Sequence, residues 1–192
     1  MASAELTDRI LSKLGINVRV APEQAVDALS TALAVILRDT GESNLETLGE
    51  LEGFPAVNLS SLTAEEQVFL QAEIDSRISR VGAATIAELQ ERLQGFIEPG
   101  WRKRLAVYYT KPSGVAIMAE MAELYREAHT GRKLVLTDPF LGSGLTLTAA
   151  IKRIGEGSVA MAWGIEPYPL SALTAYAALL HHLGGDPRRV RV

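Results

Sequence analysis

Apolar positions recur at helical spacing through the first half of the chain and gather in short unbroken runs through the second. In 22–39, PEQAVDALSTALAVILRD, residues Val26, Leu29, Leu33, Ile36 and Leu37 fall on one helical face, behind a Pro and Glu that suit a first turn. In 61–80, SLTAEEQVFLQAEIDSRISR, Thr63 and Glu66 have the spacing of a capping box. Residues 84–95, ATIAELQERLQG, predict a further amphipathic helix closed by Gly95. Shorter helices are expected near 4–14 and 43–52, before Gly53-Phe54-Pro55 breaks the chain. No internal repeat interrupts this order.

The pattern changes after Gly100. Residues 111–131 predict one helix, with Val115, Met118, Met121, Ala122 and Tyr125 at helical spacing. KLVLTD (133–138) is an unbroken apolar run that predicts a short buried strand. A helix over 145–155 ends at Gly155, a second strand covers 159–166, and a third helix covers 168–184 with Pro169 in its first turn. RVRV at 189–192 could open a third strand. Helix–β–α–β–α builds a parallel α/β sheet through right-handed crossovers. Only two or three strands are supplied, where an open doubly wound sheet uses five to seven. Such a sheet exposes an edge and an apolar face, so self-association or a tightly held partner is expected. Trp163, inside the second strand, is expected in the core.

Charge divides the chain at the same place. Residues 1–98 carry sixteen acids and seven Lys/Arg, and residues 99–192 carry seven acids and twelve Lys/Arg. The short basic groups at 101–104 (WRKR) and at Arg188, Arg189 and Arg191 suit either phosphate contact or a solvated surface. The chain has no cysteine, which excludes disulfides, thiolate metal sites and a Cys nucleophile. Three histidines, at 129, 181 and 182, form no metal-binding spacing. No apolar run reaches transmembrane length and the opening residues are unlike a signal peptide, so no membrane contact and a cytoplasmic location are expected.

The candidate chemistry lies in LVLTDPFLGSG, residues 134–144. After a strand, Gly142 and Gly144 allow a tight turn and close approach of a ligand to the backbone at the strand's carboxyl end. A phosphate-binding loop is excluded because no Lys-Ser/Thr follows Gly144. A dinucleotide fingerprint would need a third glycine, where Leu147 stands. The remaining option is a nucleoside that carries an amino-acid tail, S-adenosylmethionine. Glu166, closing the next strand, stands where a ribose-binding carboxylate belongs, with Pro167 and Tyr168 placed to flank an adenine.

DPFLGSG resembles motif I of S-adenosylmethionine-dependent amino-methyltransferases of nucleic acids, with Leu141 in place of a common Cys. GIEPYPLSALTAYAAL (164–179) resembles their motif II. LAVYYTKPSGVAIMAEM (105–121) resembles motif X, a Tyr-Tyr-Thr-Pro ahead of a helix, with Lys111 inserted between Thr110 and Pro112. The resemblance covers about residues 105–180. The apolar spacing and the charge division give a helical domain over 1–100, and the resemblance implies that 101–192 is a partial Rossmann-like cofactor domain. It further implies that Asp138, Pro139, Phe140, Gly142, Ser143 and Gly144 hold the methionine part. Tyr109 and Thr110 would close over its polar tail, and Glu166 and Pro167 would meet the ribose and base. Read from the residues alone, Tyr108 and Tyr109 are equally core aromatics, and Thr110 and Ser113 are alternative helix caps.

The family's catalytic motif IV, Asp/Asn/Ser-Pro-Pro-aromatic, stacks the flipped base and accepts hydrogen bonds from its amine. No Pro-Pro occurs in this sequence. Three explanations follow: the first part of a longer enzyme, a naturally split enzyme whose partner brings motif IV, or a non-catalytic cofactor-binding and assembly module. A helical domain ahead of motif X resembles adenine-N6 DNA methyltransferases of restriction–modification type. RNA guanine-N2 enzymes are the alternative that shares the motif I pattern.

Overall fold

At the centre of the molecule lies a helix buried on nearly every side. The structure, a computed structural model, describes residues 2–16, 21–96 and 110–192. Helix α2 (Pro22–Thr40) starts with Pro22 at its first turn and ends at Gly41, whose φ is 74° and whose N–H donates to the Arg38 carbonyl. Its periodicity predicts one buried face, yet every residue from Ala28 to Leu37 is buried. The buried hydroxyls within it are satisfied locally: Ser30 Oγ donates to the Val26 carbonyl at 2.7 Å and Thr31 Oγ1 to the Asp27 carbonyl at 2.6 Å.

Around α2 pack α1 (Ala2–Lys13), α4 (Ala64–Ile78) and α5 (Ala83–Phe96), with the short α3 (Leu45–Leu48) leading into the loop before α4. The capping box at Thr63 forms as its spacing predicts. Thr63 Oγ1 accepts the Glu66 N–H, and the Thr63 N–H donates to Glu66 Oε2 at 2.7 Å. Glu66 also takes an ion pair from Lys13 Nζ at 2.7 Å, which ties α1 to the start of α4. Lys13 and then the Thr63 N–H hold this carboxyl below its ordinary range.

The second half adds α6 (Pro112–Ala128), β1 (Leu134–Asp138), α7 (Leu145–Ile154), β2 (Val159–Gly164), α8 (Pro169–His182) and β3 (Val190–Arg191). The strands form a parallel sheet in the order β1-β2-β3, with Leu136 opposite Ala162 and Ala162 opposite Val190. The fold is therefore α/β with a small parallel sheet, and RVRV does open a third strand.

Two expectations are corrected here. The strands are buried on one face only. Leu136, Ala162 and Val190 turn inward, while Val135 is 56% exposed and Trp163, placed in the core by its strand position, is 37% exposed. Likewise α6 buries Val115 and Ala119, whereas Met118, Met121 and Tyr125 face outward with Ile117 and Leu124. An apolar run identifies a strand or helix suited to two-sided burial. It does not say whether both sides are covered.

One continuous core joins the two compositional halves. Helix α8 is buried from Leu170 to Leu180 and packs on both α2 and α5. Tyr176 reaches the far side, donating to the Glu52 carbonyl at 3.1 Å and meeting Phe54 edge-to-face. At the carboxyl ends of α2 and α8, His181 Nδ1 lies 2.8 Å from Asp39 Oδ2, and Arg38 binds the other Asp39 oxygen. The expected division at residue 100 lies outside the described residues. Among those residues no helix is long and apolar enough to cross a membrane, and no cluster of metal-ligating side chains occurs.

His182, beside that junction, gives an acid-stability prediction. Its Nε2 is buried without a hydrogen-bond partner among the described residues. Burial first, then Lys152 and His181, push its pKa down to about 4, against a weaker opposing pull from Asp39. Between pH 6.5 and about 4 the unfolded chain takes up a proton here that the folded chain refuses, so stability drops as the pH falls through that window. The full shift corresponds to at most about 3 kcal/mol, and the ring's contact with solvent reduces it to about 2 kcal/mol. Urea midpoints from about pH 7 down to about pH 4.5 should fall less steeply in His182→Phe than in wild type. Parallel slopes refute the assignment.

Candidate functional site at the glycine turn

The turn after β1 and the acid after β2 meet at the carboxyl end of the sheet. From Val135 opposite Met161, β1 and β2 run in register to Asp138 opposite Gly164. Beyond that pair the two chains stay bonded, with the Ile165 N–H donating to the Asp138 carbonyl at 3.2 Å and the Leu141 N–H to the Ile165 carbonyl at 3.1 Å. Glu166 then reaches across to the turn. Its Oε2 accepts the Gly142 N–H at 3.0 Å and its Oε1 accepts the Tyr168 N–H at 2.8 Å. Asp138 Oδ1 accepts the Phe140 N–H at 2.9 Å, which fixes the Pro139-Phe140 corner.

Gly142 has φ 56° and Gly144 φ 78°, both in the left-handed region. What sits against Gly144 is protein: a Cβ there would lie 3.1 Å from both Cα and Cβ of Ala175 on α8. The second glycine thus answers to helix packing as well as to backbone conformation. The Gly144 N–H closes the turn onto the Leu141 carbonyl at 2.9 Å, and the Gly144 carbonyl accepts from Thr148 in the first turn of α7. Backbone N–H groups at that helix start lack intrahelical acceptors and suit a polar or anionic ligand group.

Glu166 is half-buried, and its pKa is raised. Burial is the main cause, opposed by the N–H groups of Tyr168 and Gly142. A carboxylate has about four lone-pair sites. With two used by the backbone, each oxygen keeps capacity for a ligand hydroxyl. Pro167 is exposed beside it, Tyr168 is partly buried, and Phe140 stands out at 87% exposure.

The structure brings Asp138, Pro139, Phe140, Gly142, Ser143, Gly144, Glu166 and Pro167 to one end of the sheet. Ser143 is turned inward and buried, so its side chain faces α5 and only its backbone borders the turn. Thr110 is exposed ahead of α6; Lys111 occupies the N-cap and Pro112 the first helical position, so neither Thr110 nor Ser113 caps the helix. Tyr108, Tyr109 and the basic group at 101–104 lie outside the described residues. The second basic group is engaged within the chain: Arg188 by Asp186, Arg189 by Glu156 and the Val159 carbonyl, Arg191 by Glu52. A cleft of about 340 Å³ lies at the opposite end of β1, lined by Tyr125, His129, Arg132 and Lys133, and touches none of the turn residues.

One contributor escapes the sequence reading. Gln90 on α5 sits against the turn, fully buried. Its position four residues after Ile86 and three before Leu93 puts a polar side chain on the core face of an amphipathic helix, which was the available signal. No protein-family model matches this chain, nor does any curated protein or solved structure.

Proposed function

We propose that this chain is the cofactor-binding part of an S-adenosylmethionine-dependent amino-methyltransferase of nucleic acids, with adenine N6 of DNA as its target, and that its sheet is part of a Rossmann-like domain. One observation carries the reading. Glu166, just after β2, accepts the Gly142 N–H in the turn after β1, so the glycine turn and the acid adjoin at the carboxyl ends of adjacent parallel strands, where a nucleoside site would lie. The chemistry fits a nucleoside with an amino-acid tail. Glu166 accepts the ribose hydroxyls, Asp138 and the 140–144 turn hold the methionine portion, and Pro167 with Tyr168 borders the base. By the resemblance of 105–121 to motif X, Tyr109 and Thr110 would close over the tail.

The exposed apolar side chains on the sheet and on α6 support a complementary segment or partner chain. In this reading that segment also supplies the Pro-Pro-aromatic motif missing from the sequence. The chain alone should bind S-adenosylmethionine and S-adenosylhomocysteine in calorimetric titration yet transfer no labelled methyl group to DNA or RNA. Adding a chain that bears the motif should restore transfer to adenine N6. Transfer to guanine in RNA would favour the guanine-N2 alternative. Cofactor binding with no transfer under any pairing would favour a non-catalytic module, and no cofactor binding at all would overturn the proposal.

A further inference from the structure

The helical half holds the glycine turn directly. Gln90, 1% exposed on α5, donates from Nε2 to the Ser143 carbonyl at 2.8 Å and to Thr148 Oγ1 at 3.2 Å. A carbonyl only accepts, so the amide orientation follows from chemistry. Ser143 Oγ, also buried, points back to the Gln90 carbonyl at 3.4 Å. The peptide between Ser143 and Gly144 is therefore pinned at both ends: its carbonyl by Gln90, its N–H by the Leu141 carbonyl. Thr148, held by the same amide, sits in the first turn of α7 and donates its own N–H to the Gly144 carbonyl. One side chain from the front half thus fixes both the left-handed corner and the helix start that follows it.

We infer that Gln90 is a positioning residue for the glycine-turn site, and that through it the helical half sets the site's affinity for cofactor. This inference rests on the proposed function above. The physical basis is preorganisation: a turn already held in its binding conformation loses less freedom when the ligand arrives. Coupling is reciprocal, so ligand at the turn should also steady α5. Without the amide, the buried Ser143 carbonyl and Thr148 hydroxyl lose their donor and the corner can rearrange. Acidic helices with no catalytic constellation of their own thereby gain a task in the chemistry of the other half.

The test compares two variants of the full chain. Gln90→Leu keeps the bulk and removes the donor; Ile86→Val, one turn earlier on the same buried face, perturbs packing and leaves the donor in place. S-adenosylhomocysteine affinity is read by calorimetry and thermal midpoint by scanning calorimetry. Amide exchange at Gly142, Gly144 and residues 86–93 is followed with and without ligand. The expected result is a loss of affinity of about tenfold in Gln90→Leu. Ile86→Val should stay within about twofold of wild type. Gly144 should exchange faster in ligand-free Gln90→Leu, and ligand should slow exchange in α5 of the wild type. Gln90→Leu binding as well as wild type overturns this inference alone, as does an equal loss in both variants. Failure of the wild type to bind overturns the proposed function and takes this inference with it.

Discussion

Gly53→Ala should lower the stability of the chain by roughly 4 kcal/mol, from two strains acting together. Gly53 has φ 70°, which an alanine adopts at a cost of about 1 kcal/mol. A Cβ there would also overlap the Val190 carbonyl oxygen and lie 3.0 Å from Arg191 Cα. Both are backbone atoms of β3, so no side-chain rotation relieves the overlap. Relief requires pushing β3 away, which breaks the Val192 N–H to Gly53 carbonyl bond at 3.1 Å and strains the Arg191–Glu52 ion pair. Gly41→Ala is the matched control: its φ is 74°, yet nothing lies within 4 Å of the added carbon. Urea denaturation should show about 1 kcal/mol lost for Gly41→Ala and several times that for Gly53→Ala. Equal losses would refute the role of the Gly53–β3 contact in stability.

At the site, Glu166→Gln should weaken S-adenosylhomocysteine binding by about a hundredfold, or about 2.7 kcal/mol, the scale of hydrogen bonds to a charged acceptor. The carboxylate has two tasks. Toward the protein it accepts the Gly142 and Tyr168 N–H groups, one on each oxygen. An amide satisfies only one of these and turns its own N–H₂ against the other donor. Toward the ligand, the charge that strengthens bonds from two ribose hydroxyls is gone. The pH dependence separates the tasks. Burial holds the free carboxyl above its ordinary 4.5, so part of it is protonated in mildly acidic solution. Ligand hydroxyls favour the ionised form, so wild-type affinity should fall as the pH drops through that raised value, with proton release on binding. Glu166→Gln should show neither effect. A pH-independent wild-type affinity over mildly acidic solution would remove Glu166 from the ligand.

Much of this architecture was legible because local physics dominates it. Thr63 and Glu66 lie three residues apart and form their capping box locally, with Lys13 of α1 adding to it, and the carboxyl ends of β1 and β2 had to adjoin once two parallel strands were joined by α7. The parts that escaped depend on distant packing. Trp163 looks like core by strand position, and only the uncovered outer face of the sheet exposes it. Helix α2 shows one strong apolar face, yet its small residues, Ala28, Ala32 and Ala34, let neighbours close on the rest. Gly144 invites a reading about ligands, while the nearest atoms belong to Ala175. Gln90 is a single polar residue on an apolar face, and nothing local says which backbone it serves.

The burial of α2 against α8 also orders events during synthesis. Roughly 130 residues separate the end of one helix from the start of the other, so their contact closes a long loop and forms late. A ribosome makes α2 well before α8 exists. Until then the apolar side of α2 that α8 will cover is open to water or to a chaperone. The helical half therefore cannot reach its final packing on its own. It waits, half-dressed, for the strand–helix units that come after it, and a pause or cut between the two halves should yield aggregation instead of a folded front piece.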